Sequence, residues 1–135
     1  MIILAVDYGD VRTGLAVCDK NEILASPVCV ITERKAEILS EKIAALCAER
    51  KAERIVMGLP KNMDGSEGFK VEEVRQFAAD LTAERQIPIV WVDERLTTVS
   101  AERALLEADV SRKNRKKVVD KMAAVIILQS YLDRF

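Results

Sequence analysis

The sequence contains no histidine. That removes imidazole as a general acid or base, and it makes zinc a poor prospect, because zinc sites are built from cysteine and histidine. Any metal would be held through oxygen, which points to magnesium, manganese or calcium. Cysteine is sparse: Cys18, Cys29 and Cys47 are scattered through apolar surroundings with no CxxC pair. They are expected to be buried, reduced thiols, as in a cytoplasmic protein. Aromatic residues make up only 4% of the chain, too few for a stacking platform along single-stranded nucleic acid. Trp91, inside an apolar strand, is assigned to the core. Five glycines and three prolines form no linker, and no internal repeat is visible. No apolar run reaches the ~20 residues needed to span a bilayer. The first residues lack a basic segment and include an aspartate, unlike a secretory signal. Neither a membrane partner nor export is expected.

What is present is an ordinary globular balance, with 50% apolar and 32% charged residues in 135. This length suits one domain, 1–135, with a single core. The net charge of −1 conceals an asymmetry. Residues 1–110 carry 14 basic and 20 acidic side chains, net −6, and residues 111–135 carry 7 and 2, net +5. The positive end is where a polyanion would dock.

Five apolar residues, Ile2 to Val6, run into Asp7, and so unbroken a run predicts a strand covered on both faces. Residues 12–19 and Ile23 to Ile31 predict two more strands, joined by short turns into an antiparallel meander. Thr32-Glu33 has the look of a helix cap, followed by Ala36, Leu39, Ile43, Leu46 and Cys47 at helical spacing. The opposite face, Glu37, Glu41, Lys42 and Glu49, is expected to be solvated. Ile55-Val56-Met57 predicts a short strand ending at Gly58, and the loop KNMDGSEG follows. A second amphipathic helix carries Val71, Val74, Ala78 and Leu81, to about Arg85. Ile87 to Val92 predicts a last strand, ending in Asp93-Glu94-Arg95, with Pro88 tolerated near its start. Ser100 would cap a helix to about Ala108, and the basic run 112–117 would lead into a final helix, Val118 to Leu132. The predicted fold is α/β: three antiparallel strands, then two parallel strands, in one mixed five-stranded sheet flanked by helices.

Three acids interrupt apolar contexts. Asp7 ends the first strand, Glu94 follows the last, and Asp120 sits near the start of the final apolar helix. Taken singly, each is accounted for by a surface position or by dipole compensation. Taken together, a shared site explains why buried edges keep carboxylates. Clustered carboxylates repel unless a cation intervenes, and two divalent ions held by such a cluster can activate water for phosphodiester cleavage.

These residues lie in four blocks. DYGDVRTGLAV, GLPKNMDG, DERLTTVSA and KVVDKMAAVIILQSYL resemble, in order and over essentially the whole chain, the signatures of the YqgF/RuvX family. The resemblance implies an RNase H-like fold and a nuclease that processes the 5′ end of pre-16S ribosomal RNA, related to Holliday-junction resolvases. It implies Asp7, Glu94 and Asp120 as catalytic acids and ligands of Mg²⁺ or Mn²⁺, with a two-metal site.

Candidate phosphate contacts are Arg12 in the first loop, Lys61 and Asn62 in the central loop, and Arg95 beside Glu94. Arg112, Lys113, Arg115, Lys116 and Lys117 form the basic run. Gly9 and Gly14 bracket the first hairpin, either for close backbone approach to a phosphate or for turn geometry alone. Thr97 and Thr98 could donate to phosphate or cap a helix. The expected partner is structured nucleic acid, a ribosomal RNA precursor first and a DNA junction second, bound by a monomer or homodimer. A resolvase must cut two symmetric strands and calls for a two-fold dimer. An ATPase lobe of the actin and sugar-kinase type shares DxGxxxxG but needs a second lobe. A non-catalytic nucleic-acid-binding module is the remaining alternative.

Overall fold

The computed structural model describes residues 1–62, 64–97 and 112–134, the last stretch with side chains from residue 122 onward. Five strands form one sheet: β1 (Ile3–Asp7), β2 (Arg12–Cys18), β3 (Ala25–Thr32), β4 (Arg54–Leu59) and β5 (Ile89–Asp93), in the order β3-β2-β1-β4-β5. The β1/β2 and β2/β3 pairs are antiparallel, and β1/β4 and β4/β5 are parallel. Helices α1 (Ala36–Arg50), α2 (Phe69–Glu84) and α3 (Arg112–Leu132) flank it. This is the predicted architecture, in the predicted order.

The unbroken apolar run of β1 has a simple cause: the strand is central and all five of its residues are buried. Strand alternation splits them between two cores. Ile3 and Ala5 face Ala124, Ile127 and Leu128 of α3. Leu4 and Val6 face Leu39 and Ile43 of α1 and Phe77 and Leu81 of α2. Helix α3 runs antiparallel to β4. At the start of β4, Arg54 donates through Nη1 to the Tyr131 hydroxyl at 2.7 Å. At its far end, Gly58 lies against Ile127. The Gln129 side chain fastens the same helix to β3, accepting from Ala25 N at 2.9 Å and donating to Ile23 O at 3.0 Å.

Four local expectations are corrected. Thr32 does not cap α1. It ends β3, paired with Arg12, and α1 begins four residues later, after Lys35, with no side-chain cap. Glu33 does gather the orphan Arg34 and Lys35 N–H groups, at 3.1 and 3.3 Å. The third strand starts at Ala25, leaving Ile23 and Leu24 exposed. Cys18 and Cys47 are buried as expected, but Cys29 is exposed because β3 is an edge strand with an open face. The final helix begins at Arg112, not Val118, so the basic run forms its first turns. The helix expected from Ser100 to Ala108 lies outside the described residues. Among the described residues, no helix is long and apolar enough to cross a membrane.

Candidate active site

The ends of β1, β4 and β5 lie side by side, and their register decides which side chains meet. Asp7 continues the Ile3–Ala5 alternation, onto the α3 side of the sheet. Its neighbour Val6 is level with Met57, and Gly58 is level with Val92. Glu94 opens a 3-10 turn, Glu94–Leu96, directly after β5. Gly58 therefore separates two carboxylates that are both nearly inaccessible, Asp7 at 6% and Glu94 at 7% exposure.

Glycine favours this closeness. A Cβ at Gly58 would lie 2.7 Å from Ile127 Cδ1 and 3.1 Å from Glu94 Oε1. The missing side chain lets α3 and the Glu94 carboxyl group close over the strand end.

Asp7, Gly58 and Glu94 line a cleft of about 250 Å³. Its rim comes from the β1–β2 hairpin (Tyr8, Gly9, Asp10, Arg12), from Pro60, and from α2 (Lys70, Glu73, Val74). The hairpin is tight. A Cβ on Gly9 would overlap the Arg12 carbonyl oxygen, and the Thr13 hydroxyl bridges the Gly9 N–H and C=O at 3.4 Å each. Turn closure accounts for this glycine, which also borders the cleft. Gly14 instead lies within β2, opposite Asp7. The Tyr8 ring stacks on Phe77 with centroids 4.6 Å apart and fixes the hairpin to α2. Burial, then the carboxylates of Glu73, Asp10 and Asp80, push the Tyr8 phenol upward, so it stays protonated.

The rim carries a strained acid. Partial burial, then the nearby Asp10 carboxylate, raises the Glu73 pKa, and Lys70 opposes this. Lys70 also pairs with Asp10 at 3.8 Å. An acid whose folded pKa exceeds its unfolded value loses stability as pH rises from the unfolded to the folded value, and the deficit persists above both. Glu73→Gln is therefore expected to raise the urea midpoint at pH 7 and to change it little near pH 3. An equal effect at both pH values would show that charge is not the cause.

The predicted phosphate contacts separate into three groups. Arg12 lines the cleft. Lys61, Asn62 and Arg95 belong to the neighbouring loop region: Lys61 faces Glu67 at 3.9 Å, Asn62 donates to Ser66 Oγ at 2.9 Å, and Arg95 grips Asp93 at 2.7 Å. The third group, Arg112, Lys113, Arg115, Lys116 and Lys117, occupies the first turns of α3. Their side chains, like that of Asp120 further along the helix, lie outside the described residues. Thr97 caps the 3-10 turn, its hydroxyl donating to Glu94 O at 2.9 Å, and Thr98 is not among the described residues. Trp91 is half-buried against the α1–α2 core. Among the described residues, no three potential ligands gather closely enough to hold an ion, and Asp7 and Glu94 supply two carboxylates.

Sequence reasoning placed Gly58 at a strand's carboxyl end, where sites form, and passed over Tyr8, Asp10, Lys70 and Glu73 as lining residues. Gly58 had a signal, a glycine ending an apolar strand. The others carry no signal, because only packing brings α2 to the hairpin.

Sheet order and flanking helices define the class: this is an RNase H-like fold. Thermus thermophilus RuvC, solved with a Holliday junction substrate, superposes with a TM-score of 0.60 at 11% identity, covering 96% of this chain and 92% of that one. The fowlpox virus Holliday junction resolvase gives 0.56 at 12% identity, covering both chains fully. The family follows from sequence. The model described as RuvX, Holliday junction resolvase, matches residues 1–134, and the chain belongs to this family of nucleases. A relative from Natranaerobius thermophilus is 46% identical over 134 residues, spanning 99% of this chain and 95% of its own length. One from Halothermothrix orenii is 48% identical over 133 residues, spanning 98% and 95%. Each is described as a candidate nuclease for pre-16S rRNA.

Proposed function

We propose that this single-domain protein is a cytoplasmic, divalent-metal-dependent endonuclease that hydrolyses phosphodiester bonds at the 5′ end of pre-16S rRNA. Asp7, Glu94 and Asp120 are its acids. The observation that carries this reading is that two buried carboxylates, Asp7 and Glu94, line one cleft with Gly58 at the sheet's carboxyl edge. Such edges are where α/β sheets build their sites.

The donors suit Mg²⁺ or Mn²⁺. Both are hard carboxylate oxygens, and magnesium takes one or two protein carboxylates while leaving positions for water and phosphate. When bound, the ion polarises a phosphoryl oxygen and makes water a stronger nucleophile. The chain's own residues do the rest. Asp7 and Glu94 concentrate negative charge where a cation must sit, α3 seals one side from solvent, and Arg12 at the rim orients a phosphate.

The direction of α3 supports Asp120 as the third acid. The helix runs from Tyr131 beside Arg54 to Ile127 beside Gly58, so its earlier turns continue past the ends of β1 and β4. Residue 120 stands two turns before Ile127 in the same helical register. Positions 112–117 lie further out, where a nucleic-acid backbone would pass. The RNA substrate comes from the description of the relatives, and a DNA junction is the second reading, favoured by the family model's description.

Labelled precursor RNA and four-way junction DNA, incubated side by side with Mn²⁺ or chelator, test the reading. The wild-type protein should shorten the RNA only with the divalent ion, and Glu94→Gln should not. Cleavage of the junction with the RNA intact would make it a resolvase. Binding of both without cleavage would make it a binding module.

A further inference from the structure

We propose that Asp93 and Arg95 are positioning residues, a clasp that holds Glu94 at the cleft and ties it to the central loop 60–68. The proposal rests on the reading of Glu94 given above.

Glu94 begins a turn of three residues, closed at its far end by Thr97, whose N–H and hydroxyl donate to Glu94 O at 3.2 and 2.9 Å. Its two neighbours add a second constraint at the near end. The Asp93 carboxylate accepts from the Arg95 N–H at 2.9 Å and so caps the turn. The Arg95 guanidinium then folds back on the same carboxylate, with Nε 3.2 and 3.1 Å from its two oxygens and Nη2 at 2.7 Å. This two-pronged geometry belongs to arginine and cannot be reproduced by lysine. Residues 93 and 95 flank residue 94, so the clasp restrains the backbone on both sides of Glu94.

The guanidinium has a second face. A Cβ on Gly65 would lie 3.2 Å from Arg95 Nη1 and 3.8 Å from Cζ, and Gly65 has φ +89°. The loop therefore bares its backbone to the guanidinium at a position where L side chains are strained. The loop is braced internally as well: Asn62 N–H bonds Ser66 O at 3.0 Å, Gly65 N–H bonds Asn62 O at 2.9 Å, and Ser66 Oγ donates to Asp64 at 2.6 Å. Arg95 thus lies between Gly65 of the loop and the turn bearing Glu94. A role as phosphate ligand would require the guanidinium to leave both.

Arg95→Ala separates the two roles. As a positioning residue it should lower kcat on precursor RNA about 10- to 100-fold with KM unchanged. The salt slope of RNA binding in chelator should stay at the wild-type value. Amide exchange at residues 61–67 should accelerate, a readout independent of metal and of cleavage. Arg95→Lys should behave like Arg95→Ala. Asp93→Asn combined with Arg95→Ala should fall no further than either change alone. A raised KM, a salt slope flattened by about 0.9, or full rescue by Arg95→Lys would overturn the clasp. So would unchanged exchange at 61–67. If Arg95→Ala does not fold, Asp93→Asn carries the same tests. Glu94→Gln keeps the two readings apart: wild-type cleavage by that variant removes Glu94 from catalysis, whereas the exchange measurement still reports on the clasp.

Discussion

Asp7→Asn is expected to lose cleavage by on the order of a thousandfold or more, and yet to melt higher than the wild-type protein in chelator. The first effect follows from the several kcal/mol that metal-assisted charge stabilisation supplies, each ~1.4 kcal/mol being a factor of ten in rate. The second follows from burial. Asp7 and Glu94 are 6% and 7% exposed on either side of a glycine, and desolvating a carboxylate beside another is unfavourable. Asparagine keeps the shape and removes the charge. A gain of about 1 kcal/mol would raise the midpoint by roughly 3–5 °C in a domain of this size. Added Mg²⁺ should then stabilise the wild-type protein by mass action and leave the variant unchanged. A variant that melts lower in chelator and still cleaves would sink the shared-site reading.

Gly58→Ala should cost about 1–3 kcal/mol, the usual range for overpacking a closed core. The new methyl group meets Ile127 Cδ1 at 2.7 Å, inside a fully buried side chain, and Glu94 Oε1 at 3.1 Å. The two contacts have separable consequences. Gly58→Ala with Ile127→Val removes the clashing Cδ1 and should restore most of the urea midpoint. Cleavage should stay low, because the methyl group still crowds the Glu94 carboxyl group. Recovery of cleavage together with stability would mean that Gly58 serves packing alone.

The architecture was largely legible in the sequence because each element announces its period. The apolar run of β1, the turns of the meander and the helical spacing of Leu39, Ile43 and Cys47 depend on local pattern, and burial follows that pattern. Boundaries failed where tertiary pairing overrode local signals. Thr32 reads as a cap, yet its pairing with Arg12 keeps it in β3. The basic run reads as a loop, although lysine and arginine are good helix formers. Cys29 reads as core because an edge strand looks like any other until strand order is known. At the site, Asp7 and Glu94 stood out as acids at strand ends. Lys70 and Glu73 could not, since nothing local in α2 says that its first turn will meet the β1–β2 hairpin. Arg95 was legible as a charge near Glu94, but its grip on Asp93 required coordinates.

The position of β1 bears on the order in which the fold assembles. The meander β1–β2–β3 can form as soon as it is made, from short-range pairings. The β1–β4 and β4–β5 pairings must wait for distant segments, and long-range parallel contacts form slowly. One face of the finished sheet, Ile3, Ala5, Val56 and Val92, is covered by α3, which follows all five strands in the chain. Until α3 packs, the apolar face beside Asp7 stays uncovered. On the proposed reading of Asp120, the acids of the site come together only when α3 packs on that face.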